Sequence, residues 1–527
     1  MLCALAVGHA GNAFSQPAQP APTAPPTQPA PATQPAAQPG DELGPGDAAI
    51  KDTPDPLAAL LAPDPAGLTF EAAATIAVSK SSAVNAKRIE LEGANGAVSQ
   101  TMVSFFPRVT LAASYTRLSE VDSPELGGGG AIVGVATEGP VTVGPCPVDP
   151  TTQCVLDSAG LPAQAAAFGL SFDSPLNQIA FSGNITIPIS DYFLRAVQAY
   201  NGAEANEEAL ELQVEAQKLV AGRDAKLALI GWALSRGQSV VAAQSVEQAK
   251  NVLKDMKASL AADKAAPVDV LRIEALVAQA EFTLAEAKAN EFIAEQRLRT
   301  ILHTPPEQTL TVGIDLFAAP TAPVLPPLEE LVKDAIEHRL ELLATDKSRE
   351  ALLEVESATR ASYYPRLDAF GDVLIANPNQ RVFPQQERFD ATWSVGARLT
   401  WVVNDTFSTI GATAQAEART AQVEAGKQQL MEAVRLEVVQ SHADITKAGV
   451  LIEAANRGVI AAEETLRVSK RVFAVGTLTG TGLADQENAL TAARLRKLSA
   501  FANLQSAMIR LDHATGRDRR AGLAPTR

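Results

Sequence analysis

Apolar residues recur along this chain at two different periods. At four places they alternate strictly with polar ones over about ten residues. Val109, Leu111, Ala113 and Tyr115 share one face of Arg108–Arg117, and Ile179, Phe181, Ile185 and Ile187 share one face of Gln178–Pro188, with Gly183 interrupting. Arg366–Ile375 alternates likewise, and Ala391–Trp401 sets Trp393, Val395, Ala397, Leu399 and Trp401 against Ser394, Gly396, Arg398 and Thr400. Such alternation predicts strands with one apolar and one polar face, and this length crosses a bilayer when the strand is tilted. Elsewhere the period is seven. Met431, Val438, Ile445, Ile452, Val459, Leu466 and Phe473 keep it, and three residues after each come Val434, Ser441, Ala448, Ala455, Ala462, Ser469 and Gly476. Large-then-small pairing on a 3.5-residue period predicts closely packed, supercoiled antiparallel helices. Val246, Leu253 and Leu260 repeat the pattern more weakly.

Prolines punctuate these segments. None occurs from Ile189 to Ala266 or from Gln385 to Ala524. A continuous helix over 191–262 would be roughly 110 Å long, far beyond a globular helix. The chain also repeats itself. Residues 68–109 align without a gap to 326–367, and both stretches end alike, Ser104-Phe-Phe-Pro107-Arg108-Val109 against Ser362-Tyr-Tyr-Pro365-Arg366-Leu367. Glu71/Glu329, Ala77/Ala335, Ala86/Ala344, Glu92/Glu350, Ser99/Ser357 and Thr101/Thr359 also match, as expected of a duplication. Pro107 and Pro365 end the helical runs, because the residue before a proline is pushed out of the helical region. The connection 119–176, with Gly127–Gly130 and several prolines, reads as a long external loop, whereas 376–390 is short.

The order helix, proline, strand, loop, strand, long helix, turn, returning helix, written twice, resembles the TolC family of outer-membrane efflux proteins over roughly 68–515. The most specific piece is Val475-Gly476-Thr477-Leu478-Thr479, which looks like the turn joining the two long helices at the family's periplasmic tip. Its first-half counterpart is Ala266-Pro267-Val268-Asp269-Val270. Asp191 and Asp405 match the family's Asp-Gly junctions between strands and helices, with Tyr192 and Thr406 in place of the glycine. Gly482, Leu478 and Asp263 also depart from the tip pattern, so the contacts of a closed-state latch do not carry over.

The resemblance implies a mixed α and transmembrane-β fold. Four strands per chain would contribute to a trimeric twelve-stranded barrel, and long antiparallel coiled-coil helices would form an α-helical tube. A homotrimer is implied, with outer-membrane lipid, a periplasmic adaptor and an inner-membrane pump of RND or ABC type as partners. The expected segments are a truncated signal peptide at 1–15 and a Pro/Ala-rich disordered linker at 16–67. A first repeat follows at 68–303, with strands at 108–118 and 177–188 and helices at 191–262 and 269–302. After a linker at 304–325, the second repeat covers 326–516, with strands at 366–375 and 390–402 and helices at 406–475 and 484–513. A C-terminal tail occupies 517–527. Asp269, Asp485, Gly476 and Thr477 are the candidates for a periplasmic aperture; the two aspartates could also merely cap helices.

Composition narrows the function without changing this reading. With 44 Lys and Arg against 60 Asp and Glu, the net charge of −16 provides no basic surface for nucleic acid. No apolar run reaches the roughly 20 residues of a membrane helix. Met1–Ala13 looks like the apolar end of a secretory signal, although its basic start is missing. Of three cysteines, Cys146 and Cys154 bracket a short loop and would pair in an oxidising compartment, free thiols being the alternative. His9, His303, His338, His442 and His513 are scattered and read as solvated helix residues. No zinc-protease, hydrolase or phosphate-loop motif is present, so the expectation is no enzyme, no cofactor and no metal. Passive export of small molecules is the leading function. Protein secretion through the outer membrane and a non-channel coiled-coil rod are the alternatives.

Overall fold

The structure is a computed structural model, and it describes residues 61–120, 132–135, 138–168, 175–263, 266–317, 322–383, 385–475 and 477–519. The signal segment, most of the Pro/Ala-rich stretch, Gly127–Gly130 and Gly476 lie outside the described residues. Two short helices, α1 (Phe70–Lys80) and α2 (Ser82–Val103), lead to strand β1 (Arg108–Arg117). Within the following connection are β2 (Ile132–Val135), β3 (Thr142–Pro145), β4 (Gln153–Leu156) and β5 (Ala165–Phe168), and then comes β6 (Asn177–Ile187). A short helix at Ile189–Asp191 and a π turn at Tyr192–Ala196 open into the long α3 (Val197–Ala261), which α4 (Pro267–Leu302) follows. The second half repeats the order with α5 (Leu328–His338), α6 (Leu340–Arg360), β7 (Arg366–Asn377), β8 (Asp390–Thr400), α7 (Val403–Ala474) and α8 (Gly480–Ala514).

The duplication extends to backbone detail. Helix α1 breaks from α2 at Ser81 (φ −61°, ψ 121°), and α5 breaks from α6 at Arg339 (φ −64°, ψ 122°). These two positions correspond in the alignment of the repeats, although serine and arginine share no chemistry. At Ser81 the hydroxyl accepts the N–H of Val84, a side-chain N-cap. At Arg339 no side-chain cap forms, and the guanidinium instead binds Glu341, Glu437 and the carbonyl of His513.

The four long strands form one antiparallel sheet in the order β1-β6-β7-β8. Its register places Val109, Leu111 and Ala113 of β1 opposite Ile185, Gly183 and Phe181 of β6, and Phe181 in turn opposite Ile375 of β7. Val373 then faces Trp393 and Leu367 faces Leu399. One face of the sheet is therefore continuously apolar, and much of it is bare: Leu111 is 82% exposed and Trp393 and Val395 are each 72% exposed. β1 and β8 are its unpaired edges.

The helices form two antiparallel pairs, α3 with α4 and α7 with α8, joined by packing of α3 on α8. Their lengths of 65 and 72 residues for α3 and α7 correspond to roughly 100 Å. The heptad stripe of α7 is the buried one: Val438, Ile445, Ile452, Val459 and Leu466 are all buried, as are Val434, Ser441 and Ala448 beside them. At the far end of the pairs, Val252, Met256, Val270, Ile273, Leu466, Leu483 and Leu490 pack into one cluster.

Several expectations are corrected. The stretch 61–67 is not free linker, because Asp64 N–H donates to Val312 O at 2.9 Å, and Leu68 N–H donates to Thr311 O at 2.8 Å. The inter-repeat stretch 304–325 supplies Val312, Ile314 and Leu316 to the core around Leu229, Leu298 and Leu498, since its apolar residues cap a gap between α1, α3 and α8. The connection 119–176, expected as a long external loop, carries two small antiparallel sheets, β2–β5 and β3–β4. Residues 517–519 form a 3₁₀ turn tied to the body by Arg517 and Asp334 at 2.9 Å. The helix expected to start at 484 starts at Gly480, because the Thr479 hydroxyl accepts the N–H of Gly482 and caps it. His513 is not solvated. It is 3% exposed, with Nδ1 2.8 Å from an Asp518 carboxylate oxygen.

Candidate functional site

Two regions hold the residues singled out by the sequence, the junction between sheet and helices and the tip of the helical pairs. At the junction, α2 ends at Val103 and β1 begins at Arg108, directly after Pro107. Pro365 likewise precedes β7, behind a Tyr364 already extended at ψ 148°. Asp191 lies in the half-turn after β6, with Oδ2 3.5 Å from Arg366 Nε and Oδ1 3.9 Å from Arg195 Nη1. Arg366 also binds Asp368 at 2.9 Å, and the Ser190 hydroxyl accepts the N–H of Leu367. The first-half junction is thus locked to the first residues of the second-half strand. Asp405 differs. In the first turn of α7 only its backbone is engaged among the described residues, its carbonyl accepting the hydroxyls of Ser408 and Thr409. The two matched aspartates have unequal jobs.

At the tip, Asp263 adopts φ 58°, the left-handed region that favours glycine, in the turn after α3. Asp269 is the third residue of α4, with Pro267 at its first position, and lies 3.7 Å from Arg272. A carboxylate there is stabilised by the helix's own N–H groups. Asp485 is exposed in the second turn of α8 and has no side-chain partner among the described residues. With Thr479 as the cap, capping does not account for Asp485. Thr477 N–H and its hydroxyl both donate to Val472 O, at 3.2 and 3.1 Å, closing the end of α7.

Sequence reasoning missed Glu487. It is 4% exposed on the buried stripe of α8, and Lys470 Nζ from α7 stands 2.9 Å from its carboxylate, outside hydrogen-bond geometry. The available signal was its spacing: Leu483, Glu487 and Leu490 follow i, i+4 and i+7, which places a charge on the core face. Leu478, which departs from the tip pattern, is half-buried against the tip cluster. Cys146, just after β3, and Cys154 in β4 are joined as a disulfide, with Cα atoms 5.0 Å apart.

No helix among the described residues is long and apolar enough to cross a membrane, and no group of metal-ligating side chains forms among them. The sheet has one apolar face, and its other face carries Thr110, Ser114, Gln178, Ser182, Asn184, Asp372, Ser394 and Arg398. The sequence pattern described as outer membrane efflux protein matches residues 75–303 and 331–517.

The chain belongs to the outer membrane efflux protein family.

The fold agrees with that membership. It superposes on the channel CusC with a TM-score of 0.67 at 13% identity, covering 85% of this chain and 92% of that one. For VceC of Vibrio cholerae the TM-score is 0.65 at 15% identity, covering 85% and 96%. For MtrE of Neisseria gonorrhoeae it is 0.65 at 15%, covering 85% and 88%. No curated protein sequence matches significantly. As a member of the outer membrane efflux protein family, this chain is an outer-membrane efflux channel, with one four-stranded sheet of long strands and two long helical pairs among the described residues.

Proposed function

We propose that three copies close a twelve-stranded barrel in the outer membrane of a Gram-negative-type cell. The helical pairs form a tube through the periplasm, and small molecules leave through it passively. A periplasmic adaptor and an inner-membrane pump of RND or ABC type deliver them. One observation carries this reading: the sheet has a bare apolar face and two unpaired edges, β1 and β8. An open edge in hydrocarbon leaves N–H and C=O groups unsatisfied, so a lipid-facing sheet must close. Four strands are too few for that, and twelve suffice around an aqueous pore.

The aperture lies at the tip, where Asp269 and Asp485 from three copies narrow the exit, with Gly476 and Thr477 shaping the turn beside them. Support comes from Asp485, which is exposed and without a side-chain partner among the described residues although helix α8 is already capped by Thr479. Pro107, Pro365, Asp191 and Asp405 set the angle between barrel and tube.

The test begins with the detergent-solubilised protein, expected at three times 55.2 kDa and conducting in planar bilayers. A monomer that stays inserted in lipid overturns the barrel. Asp485→Asn, with Asp269→Asn adding to it, is expected to lower cation preference, strongly at low salt and weakly at high salt. Unchanged selectivity in the double variant moves the aperture elsewhere.

A further inference from the structure

On the polar face of the sheet, acidic groups along β7 and β8 have local basic partners. Asp368 takes Arg366 at 2.9 Å, Asp372 takes Arg381 at 2.7 Å and also the Ser394 hydroxyl, and Asp390 takes Arg388 at 3.1 Å. Arg398 is the exception. Its register partner across β7 is Asp368, already engaged by Arg366, and no carboxylate pairs with Arg398 among the described residues. Instead its guanidinium carbon lies 5.0 Å from the centroid of the Phe370 ring.

The sequence explains this seat. Phe370 stands directly opposite Gly396 in the register. A Cβ at 396 would come within 2.9 Å of the ring's Cζ, so the ring lies over a stretch of β8 backbone that only glycine leaves open. An aromatic laid over a cross-strand glycine recovers packing the glycine lacks. Arg398, two residues further along the same strand, shares that face and reaches over the ring. An aromatic face holds a guanidinium by its flat side and makes no hydrogen bond to its N–H groups. Those five donors keep the fork geometry that matches a carboxylate, sulfonate or phosphate.

We propose that Arg398, seated on Phe370, is an anion-binding position on the lumen wall of the barrel, taking organic anions that carry a flat apolar group. The inference rests on the barrel reading above, which turns this face toward the pore. The charge balance gives it a purpose. A chain of net charge −16 repels anions on the whole, and a cationic seat lets them pass a tube that otherwise favours cations. The apolar ring beside the charge contacts the flat part of the same solute.

The test uses the full-length protein in planar bilayers under a potassium chloride gradient, with 1-naphthalenesulfonate as the probe. Arg398→Gln is expected to shift the reversal potential toward cation selectivity and to weaken block by the probe several-fold. Both effects should shrink as salt rises. Arg398→Lys is expected to restore the reversal potential but not the block, because an ammonium lacks the planar fork. Phe370→Leu should weaken the block with the charge in place. If Arg398→Gln conducts with unchanged selectivity and block, the site does not exist. If Arg398→Lys loses the channel together with Arg398→Gln, the arginine is structural and the proposal falls. Unchanged block in Phe370→Leu overturns the aromatic seat. A wild-type protein that never conducts overturns the barrel reading first and this inference with it.

Discussion

At the scale of single residues, the end of α8 concentrates charge in a place that sequence spacing left blank. Arg339, 8% exposed, reaches Glu437 of α7 at 2.9 Å and the carbonyl of His513, while His513 faces Asp518. Next to them Asp512 has its carboxyl raised above the ordinary 3.8, first by burial and then by the neighbouring Asp518, with Arg517 and Lys226 pulling it back. Between 3.8 and the raised value the folded chain holds a proton that the unfolded chain has released. Stability contributed by this group is therefore lost as pH rises through that window, and the charged carboxylate is a cost at neutral pH. Asp512→Asn is expected to raise the unfolding midpoint at pH 7, and this gain should shrink as pH falls and disappear well below 3.8, where the carboxyl is protonated in both states. A lower midpoint at pH 7 would mean that Arg517 and Lys226 outweigh burial. The sequence showed an Asp-His pair in a helix end; which partners they meet depends on α5, α7 and the chain after α8, all distant along the chain.

At the scale of elements, the joint between the two helical pairs depends on close approach of α3 and α8. Leu498 of α8 is fully buried, and a Cβ added at Gly237 of α3 would come within 2.5 Å of its Cδ2. Gly237→Ala forces Leu498 to move in a packed interior, at a cost of about 1–3 kcal/mol. Leu498→Ala leaves a cavity and costs about 2–5 kcal/mol. In the double variant the new methyl occupies part of that cavity, so its loss is expected to be smaller than the two single losses added. Thermal unfolding of the three variants measures this, and strict additivity would show that the two residues do not share the space. The sequence marked the heptad of α7 correctly as a buried stripe. It marked no such stripe for the α3–α8 contact, because a glycine opposite a leucine leaves no period to read.

At the scale of the whole molecule, function depends on which face of the sheet meets lipid. Alternation divides the residues of each strand into two sets, and the register shows that the apolar sets of all four strands coincide. Val395 belongs to the apolar face and Ser182 to the polar one. An arginine on a lipid face near mid-membrane costs about 2–4 kcal/mol, whereas a lumen position tolerates it. Val395→Arg is thus expected to deplete assembled protein from outer-membrane fractions, and Ser182→Arg to leave it in place. The reverse pattern would exchange the two faces.

The sequence by itself determined the four long strands, the long helices and the order in which they follow one another. Alternation specified strands, the heptad specified long packed helices, and the repeated Pro-Arg endings specified where one gave way to the other. These are signals between residues a few positions apart, where backbone geometry imposes the period. Tertiary structure decided everything that depends on partners far apart in the chain. It tied Asp191 to Arg366 while leaving the matched Asp405 to its own backbone. It buried Glu487 beside Lys470, enclosed His513, and put the guanidinium of Arg398 over a ring 28 residues earlier in sequence (398 − 370). The reason is physical: the energy of a charge depends on how much water and which opposite charges surround it, and only the packed helices and paired strands set those surroundings.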